Sequence, residues 1–289
     1  MKDGKKSAFV TGASSGIGYS TAIELASRGF KVFAGARRLE VMEPLKSHGI
    51  TILKLDVTSM ESIIDAKTLI DQETDGSLDI LFNNAGVPCR APAFDLEEDW
   101  FRFCFEVNVF GPMRTVKVFH PLLIKSKGLI AFTGSTAGLV PLPFNTVYSS
   151  SKGAIQSYAN SLALEVQPFG IKVLNFVAGA VETDIGTNDA HDIPETSVFI
   201  IDGENVFENG KVLKNLKKMP SDAFAKKAVT DIERCLSSSH KNFWMSYRGK
   251  SASLVKLLVS YFPRSFLAYI IVKSLKLKDS FKKIKRKYA

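Results

Sequence analysis

The sequence has few of the residues that build disulfide frameworks or metal sites. Its 289 residues include three cysteines and four histidines, without a C-x-x-C pair or a histidine spacing typical of metal ligands. We therefore expect a protein of a reducing compartment, with no metal site. The N-terminus also lacks an apolar stretch followed by a cleavage pattern, so we expect no secretory signal.

The chain also lacks a net positive charge outside its C-terminal end. The net charge is +9, and residues 250–289 contain eleven lysines and arginines against a single acid, Asp279. This segment carries the whole basic excess, and the rest of the chain is close to neutral. A near-neutral body argues against nucleic acid as a partner, so the positive charge must serve a partner that meets the tail.

What the sequence does contain is an alternation of short apolar runs and helical patterns. Helices are predicted at about residues 17–27, 39–47, 97–125, 148–166 and 221–236, with a further one after Ser59, its N-cap. The runs typical of buried strands are SAFVTG, FKVFAGA, TILKLDV, LDILFNN, LIAFTGS, IKVLNFV and NFWMSY. This order predicts an α/β fold: a single doubly wound parallel sheet, Rossmann-like, of about seven strands with helices on both faces.

We expect one catalytic domain over residues 1–250 and a compositionally separate tail over residues 251–289. Region 184–220, punctuated by Pro and Gly, interrupts the alternation and is expected to cover the substrate. It carries a basic run that fits either a solvated helix face or attraction for an anionic headgroup: Lys211, Lys214, Lys217 and Lys218.

The stretch TGASSGIG, residues 11–18, permits two interpretations. Its inner G-x-S-x-G pattern is typical of the turn that carries the nucleophilic serine of esterases and lipases, here Ser14. The glycines Gly12, Gly16 and Gly18 instead favour a loop that wraps a pyrophosphate at a helix start. A hydrolase needs a histidine and an acid within reach of the serine, and no histidine follows an acid in a recognisable loop motif.

Two arginines follow the second predicted strand. A dinucleotide lying across such a sheet places its adenosine ribose near this point, where an acid would bind a 2′-hydroxyl. Arg37 and Arg38 occupy the position instead. Because guanidinium groups suit phosphate in charge and geometry, the sequence predicts NADPH (NADP⁺) rather than NADH as the cofactor.

Tyr148 and Lys152 lie four residues apart at the start of a predicted helix, so their side chains share one face. A nearby ammonium group lowers the pKa of a phenol, which suits Tyr148 to proton transfer. Ser135 ends the fifth predicted strand, at the sheet edge where ligands bind. Asn108 lies within the long predicted helix.

In these residues the chain resembles the short-chain dehydrogenase/reductase family. The resemblance spans roughly residues 6–245 and is carried by TGASSGIG, LDV at 55–57, NNAG at 83–86, Asn108, Ser135 and YSSSK at 148–152. It implies an NADPH-dependent enzyme that reduces a ketone to an alcohol. A catalytically silent family member that only docks or senses a cofactor is the alternative from another class.

The resemblance also implies roles for individual residues. Ser135 would hold the substrate carbonyl and Tyr148 would protonate the forming alkoxide. Lys152 would lower the Tyr148 pKa and hold the nicotinamide ribose, and Asn108 would hold a water of a proton relay. Besides Arg37, Arg38, Tyr148 and Lys152, the implied cofactor-binding residues are Gly12, Ser14, Ser15, Gly16, Ile17, Gly18, Asp56, Val57, Asn84, Ala85, Gly86, Val181 and Thr183.

The chain departs from the family after the sixth strand, where P-G-x-x-x-T is usual. Ala178 replaces the proline, while Gly179 and Thr183 remain. We expect Val181 to meet the nicotinamide amide and Thr183 the phosphates. Without the proline, the rigidity of this turn is an open question.

Short stretches narrow the substrate class. ARRLE, FTGSTAG, PETS, MPSDAFAK and YRG resemble the fungal branch of the family that reduces acylated dihydroxyacetone phosphates. We therefore expect an acylated, phosphate-bearing ketone as substrate. A hydroxysteroid or other apolar ketone is the alternative within the same chemistry, and ester hydrolysis through Ser14 remains the alternative outside it.

The tail is expected to meet a lipid surface. Residues 254–272 are mostly apolar but contain Lys256, Pro263 and Arg264. Arginine at the centre of a bilayer costs about 2.5–3.5 kcal/mol, and Pro263 interrupts a helix, so an interfacial segment is favoured over a full span. The lysines that follow would bind an anionic membrane or lipid droplet. We therefore expect the protein on the cytoplasmic face of the endoplasmic reticulum or on lipid droplets. The sequence is compatible with a homodimer but does not decide the oligomeric state.

Overall fold

The structure, a computed structural model, describes residues 4–183, 192–210, 217–239 and 242–289. Its strands are β1 (Ser7–Thr11), β2 (Lys31–Ala36), β3 (Thr51–Lys54), β4 (Ile80–Asn83), β5 (Leu129–Ser135), β6 (Lys172–Ala178), β7 (Ile200–Ile201), β8 (Glu204–Asn205) and β9 (Phe243–Arg248). Its α-helices are α1 (Gly16–Ser27), α2 (Met60–Thr74), α3 (Glu98–Phe105), α4 (Gly111–Ser126), α5 (Thr146–Glu165), α6 (Val206–Gly210), α7 (Ser221–Ser237), α8 (Ala252–Tyr261), α9 (Arg264–Ser274) and α10 (Lys278–Tyr288).

The predicted sheet is confirmed. Seven strands lie in the order β3-β2-β1-β4-β5-β6-β9, and every neighbouring pair is parallel. The chain starts in the middle, winds outward to β3, then returns across β1 to β4. This reversal leaves a crevice at the carboxyl ends of β1 and β4, where ligands bind in open α/β sheets.

Alternating side chains of the strands divide the core between the two faces. Ala8 and Val10 of β1 pack with α1 and α7 on one face, and Phe9 packs with α2, α4 and α5 on the other. Because both faces are covered, the strands are apolar throughout rather than alternating. This explains why their runs stood out in the sequence.

Two helix predictions need correction. The segment predicted as a helix at 39–47 is a 3-10 helix over Glu40–His48 with Pro44 inside it, since proline cannot donate an α-helical hydrogen bond. The long helix predicted at 97–125 is α3 and α4 joined by a π-helical turn over Glu106–Phe110. Such turns widen a helix and often accompany functional sites, and this one contains Asn108.

The tail forms three helices. Pro263 separates α8 from α9, as predicted. Leu275 and Leu277, between α9 and α10, are buried against Val206 and Phe207 of region 184–220. Within the parts of the chain that the structure describes, every helix falls short of the length or apolar character that a bilayer span requires.

Candidate active site

The loop between β1 and α1 packs tightly against the segment that follows β4. Gly12 and Gly16 have positive φ angles of 66° and 56°, which glycine adopts readily because it has no Cβ. A Cβ on Gly12 would lie 2.6 Å from the Cα of Ala85, and one on Gly18 would lie 2.4 Å from the Gly12 carbonyl oxygen. The Asn84 side chain ties the segments together, since its Nδ2 donates to the Gly12 carbonyl oxygen at 3.1 Å.

A cavity of about 530 Å³ opens at this loop, along the carboxyl ends of β1 to β4. The amino end of α1, where backbone N–H groups and the helix dipole favour phosphate, faces this edge. Most of the predicted cofactor-binding residues line the cavity: Gly12, Ser14, Ser15, Gly16, Ile17, Arg37, Arg38, Asp56, Val57, Asn84, Ala85, Gly86 and Thr183. Gly18 is buried behind the loop.

Charge in this cavity is concentrated at the end of β2. Arg37 and Arg38 are exposed and line it. Among the described residues of the lining, Asp56 is the single acid, and its Oδ1 accepts hydrogen bonds from Thr58 N at 2.9 Å and Thr58 Oγ1 at 2.7 Å. The two guanidinium groups therefore give this end of the cavity a positive character that suits an anion.

A second cavity, of about 280 Å³, lies beside the first. It is lined by Ser135 at the end of β5, Tyr148 in the first turn of α5, and Val181 after β6. Both cavities share Ile17, Pro88 and Thr183 as lining residues. A ligand in the first cavity can therefore reach the groups of the second.

Burial dominates the electrostatics of Tyr148. Desolvation raises the pKa of Tyr148 to about 12, and a hydrogen bond with the Ser135 side chain acts in the opposite direction. The phenol is thus protonated at neutral pH. The sequence predicts a lowered pKa for Tyr148, whereas in the structure burial raises it.

Lys152 lies beside Tyr148 and is itself affected by burial. Its Nζ lies 5.7 Å from the centre of the Tyr148 ring and donates to the Thr133 carbonyl oxygen at 2.8 Å. The side chain is buried, and desolvation lowers the pKa of Lys152 to about 8. Burial therefore shifts both pKa values in the direction of the neutral group, because a low-dielectric site disfavours the phenolate and the ammonium alike. Lys152 Nζ also lies near Gly86 of the first cavity, since a Cβ added to Gly86 would be 3.6 Å from it.

Asn108 performs a structural task. It is 1% exposed, and its side-chain amide pairs with the backbone of Val87, accepting from Val87 N at 2.8 Å and donating to Val87 O at 3.0 Å. Nδ2 also donates to Ser151 Oγ at 3.0 Å. The Asn108 amide is thus hydrogen-bonded to the loop after β4 and to α5. A relay water, as the sequence analysis expects, could bind this side chain only by displacing one of these hydrogen bonds.

The turn after β6 is held firmly without the proline. Gly179 N donates to Arg248 O at 2.8 Å, and Ala180 exchanges two backbone hydrogen bonds with Lys250, each of 3.1 Å. Met219 N donates to Ala180 O at 3.0 Å. A Cβ on Gly179 would lie 2.1 Å from Lys250 O. Backbone pairing on two sides therefore replaces the fixed φ of proline.

Sequence reasoning missed several lining residues. Trp100 and Phe103 of α3 contact the first cavity, and their i, i+3 spacing is the signal that they share a helix face. Arg90 and Asn145 line the second cavity. Lys218, from the basic run named in the sequence analysis, lines this cavity too, while Lys211 and Lys214 lie outside the described residues.

The geometry gives no support to a hydrolase built on Ser14. His48 and His120 are exposed, and neither lines the cavity that contains Ser14. His191 and His240 lie outside the described residues. In the part of the chain that can be described, Ser14 has no general base and instead forms part of the wall of the first cavity.

A phosphate-binding glycine loop, together with a half-buried tyrosine beside a buried lysine, defines the class of protein: a dinucleotide-dependent oxidoreductase of the α/β type. The chain belongs to the short chain dehydrogenase family: the sequence model of that family matches residues 6–194.

Two curated relatives share more than the family pattern. The NADPH-dependent 1-acyldihydroxyacetone phosphate reductase of Saccharomyces cerevisiae is 42% identical over 94% of this chain and 92% of its own length. A protein of the same description from Schizosaccharomyces pombe is 38% identical over 72% of both chains. Among solved structures, a short-chain dehydrogenase from Streptomyces avermitilis superimposes with a TM-score of 0.75 and 26% identity, covering 98% of this chain and 99% of that one.

Proposed function

We propose that this protein reduces the ketone of 1-acyldihydroxyacetone phosphate to 1-acylglycerol 3-phosphate with NADPH. The observation that carries this proposal is the continuity of the two cavities, which puts Tyr148 and Ser135 beside a site built for a dinucleotide. The names of the two fungal relatives support the choice of substrate and cofactor. The reaction is a step of glycerolipid synthesis.

The first cavity fits NADPH on three counts. The close approach of Gly12 and Gly18 to neighbouring backbone leaves a loop that passes near a pyrophosphate. The amino end of α1 would bind the phosphates, and Arg37 with Arg38 would bind the 2′-phosphate. When bound, NADPH supplies the hydride that reduces the ketone carbon.

The chain's own groups hold the substrate and provide the proton. Ser135 donates a hydrogen bond to the ketone oxygen, and the Tyr148 hydroxyl donates its proton to the same oxygen as negative charge develops there. A pKa of about 12 keeps Tyr148 protonated and ready to donate, and an alkoxide is a stronger base than a phenolate. The Lys152 ammonium stabilises the phenolate that remains, and Asn108 positions the Val87 loop beside it.

Tyr148→Phe tests this assignment. The variant keeps the ring but loses the proton donor, and general acid catalysis is worth about 10²- to 10⁴-fold. We expect turnover of 1-palmitoyldihydroxyacetone phosphate to fall by that factor while NADPH binding, followed by fluorescence, stays within about twofold. Full activity in the variant would remove Tyr148 from the mechanism. If the wild-type protein oxidises NADPH with a hydroxysteroid ketone and not with the acylated phosphate, the substrate assignment is wrong.

We further propose that the tail binds an anionic lipid surface. Leu254, Leu257 and Tyr261 of α8 are 54%, 52% and 77% exposed, an unusual amount of apolar surface for a helix of ten residues. Basic side chains of α10, including Lys285, Arg286 and Lys287, are exposed further along the same tail. Apolar burial combined with attraction to acidic headgroups is the pattern of interfacial helices.

The position of α8 supports this proposal. The chain enters α8 directly after Lys250, which pairs with Ala180 at the edge of the second cavity. A membrane in contact with α8 would lie near the site that receives an acyl chain. We propose the cytoplasmic face of the endoplasmic reticulum or a lipid droplet as the location.

Point substitutions test the tail better than truncation does, because truncation after Arg248 would remove the Lys250 pairing and the buried Leu275 and Leu277. Leu254→Ser with Leu257→Ser should abolish co-flotation with vesicles of phosphatidylcholine and phosphatidylserine. Leu164→Ser is the matched control, because it removes an exposed leucine from α5, on the body of the protein. Unchanged flotation of the double variant would show that α8 is not the contact surface.

A further inference from the structure

A separate apolar cluster joins the tail to the loop that precedes the catalytic tyrosine. Three parts of the chain, far apart in sequence, contribute to it: the loop before α5, the segment 193–207, and the turn between α9 and α10. Its buried members are Phe144, Ile193, Val206, Phe207, Leu275 and Leu277. These side chains line neither cavity, and the mechanism above makes no use of them.

Phe144 has a backbone conformation that is unfavourable for its side chain. Its φ angle is 63°, in the left-handed region that glycine adopts readily and a bulky residue rarely does. The rings of Phe199 and Phe207 meet the Phe144 ring edge-on, with centroids 5.4 Å and 5.6 Å away. Such a conformation persists only where the surrounding packing enforces it. The cluster therefore determines the path of the chain at Phe144.

Phe144 comes directly before residues that form one wall of the substrate cavity. Asn145 is the N-cap of α5 and Tyr148 lies in the first turn, and both line the second cavity. This turn is closed by Ser149 N, which donates to the Asn145 carbonyl oxygen at 2.8 Å. A displacement of Phe144 therefore reaches the Tyr148 hydroxyl through one hydrogen-bonded turn of helix.

The tail contributes a rigid partner to the cluster. The tail elbow, residues 275–277, joins α9 to α10, and Lys276 within it has a φ angle of 56°. Leu277 N donates to the Val272 carbonyl oxygen at 3.0 Å, and Lys276 N donates to that of Lys273 at 3.1 Å. This is the Schellman pattern of helix ends. Because backbone groups close the turn, the Leu277 side chain can be shortened without losing it.

Polar contacts tie the segment 193–207 to both neighbours. On the tail side, Lys283 Nζ of α10 donates to Glu204 Oε2 at 3.0 Å. On the body side, Ser197 Oγ donates to Asp95 Oδ2, in the loop after β4, at 2.6 Å. The segment therefore connects the tail elbow to the body on the substrate side of the site.

We propose that the tail elbow positions Tyr148 for proton transfer, with Leu275 and Leu277 as positioning residues that act through Phe144. The inference rests on the proposed function in taking Tyr148 as the proton donor. The elbow itself contacts neither cavity. The tail thus serves the reaction as well as the lipid surface, and this effect does not require a membrane.

Leu277→Ala tests the proposal. Truncating a buried leucine leaves a cavity into which neighbouring groups relax, and a small displacement of a catalytic group can cost up to about 10²-fold in rate. We expect kcat for 1-palmitoyldihydroxyacetone phosphate, without vesicles, to fall about tenfold or more. The Kd of NADPH, followed by fluorescence, should stay within about twofold, because the first cavity lies outside the cluster.

Leu267→Ala is the matched control. It removes the same atoms from a leucine of α9 that is 3% exposed but is not a member of the cluster. Its kcat should stay within about twofold of the wild-type value. All variants are assayed well below their own Tm, so that the fraction unfolded is negligible.

Graded substitutions and hydrogen exchange separate positioning from a general loss of stability. Leu277→Met conserves volume and should keep most of kcat. Leu277→Val should be intermediate, and it takes the place of the alanine variant if that variant does not fold. Amide exchange in residues 142–152 should be about tenfold faster in Leu277→Ala than in the wild-type protein and unchanged in Leu267→Ala, since exchange reports local opening.

Several outcomes would overturn the inference. If both alanine variants lower kcat equally, or if NADPH binding weakens as much as kcat falls, the elbow only stabilises the fold. If exchange in residues 142–152 is unchanged in every Leu277 variant, the elbow does not hold Phe144. If the wild-type protein reduces no ketone, the proposed function fails, and the exchange measurement still decides whether the elbow positions the first turn of α5.

Discussion

The two ends of the active-site cleft are built differently. At the dinucleotide end, a short glycine loop lies so close to neighbouring backbone that a Cβ on Gly12 would fall 2.6 Å from the Cα of Ala85. At the substrate end, the walls come from β5, β6, α5, the loop after β4 and the segment before α7. The first end therefore depends on the glycines of one short motif, and the second on segments that are far apart in sequence.

The largest effect is expected when one methyl group is added to the glycine motif at the dinucleotide end. In Gly18→Ala the new Cβ would fall 2.4 Å from the Gly12 carbonyl oxygen, so backbone has to move. We expect NADPH binding and turnover to fall below detection. Gly153→Ala is the matched control, because it also adds a methyl group to a helix of the site but its Cβ would meet its nearest neighbour at 3.7 Å. Equal effects of both substitutions would contradict the argument.

Cofactor preference should change by a smaller factor. Arg37→Gln combined with Arg38→Gln removes two charged partners of the 2′-phosphate, each worth about tenfold in binding. The ratio of kcat/KM with NADPH to that with NADH should fall by about 100-fold, mainly through KM for NADPH. Arg102→Ala controls for loss of a surface arginine. A wild-type protein that uses NADH as well as NADPH would overturn the assignment before any substitution is made.

The pH dependence of the reaction tests the roles of Lys152 and Tyr148, which lie where the two cavities meet. Burial lowers the pKa of Lys152 to about 8 and raises that of Tyr148 to about 12. The ammonium is therefore present below pH 8 and lost as the pH rises through it, while the phenol stays protonated. We expect kcat/KM for NADPH, which reports the free protein, to be level below pH 8 and to fall about tenfold per pH unit above it.

A level profile up to pH 10 would contradict this assignment. It would mean that the Lys152 charge persists, or that the charge has no part in the reaction. Lys152→Met separates these cases, because the variant should have low activity with no fall near pH 8.

What the sequence could predict follows the same division. The seven strands, the glycine loop and the Tyr148–Lys152 pair were predictable because each depends on neighbours within a few residues. Arg90 was not, since nothing local distinguishes a lining arginine from a surface one until the loop after β4 is placed. The turn after Ala178 is held by backbone hydrogen bonds with Lys250 and Met219. Neither partner could be predicted from the sequence of the turn itself.

Electrostatics were the least predictable part of the site. The i, i+4 spacing correctly placed Lys152 beside Tyr148, yet the direction of the Tyr148 pKa was wrong. Spacing reports proximity, whereas the pKa depends on how much water the fold excludes. Asn108 is similar: the sequence drew attention to this residue, but its pairing with the Val87 backbone depends on the π-helical turn in which it lies.

The smallest effect is expected at Ser14, the residue with two interpretations in the sequence. If it forms part of the cofactor cavity wall, Ser14→Ala removes a hydroxyl from a site where backbone N–H groups provide most of the phosphate contacts. KM for NADPH should then rise by less than about tenfold and kcat should hold. Hydrolysis of a p-nitrophenyl ester by the wild-type protein that disappears in Ser14→Ala but survives in Tyr148→Phe would instead require a nucleophile. The dinucleotide end would then have two functions, and one of the histidines outside the described residues would be the base to find.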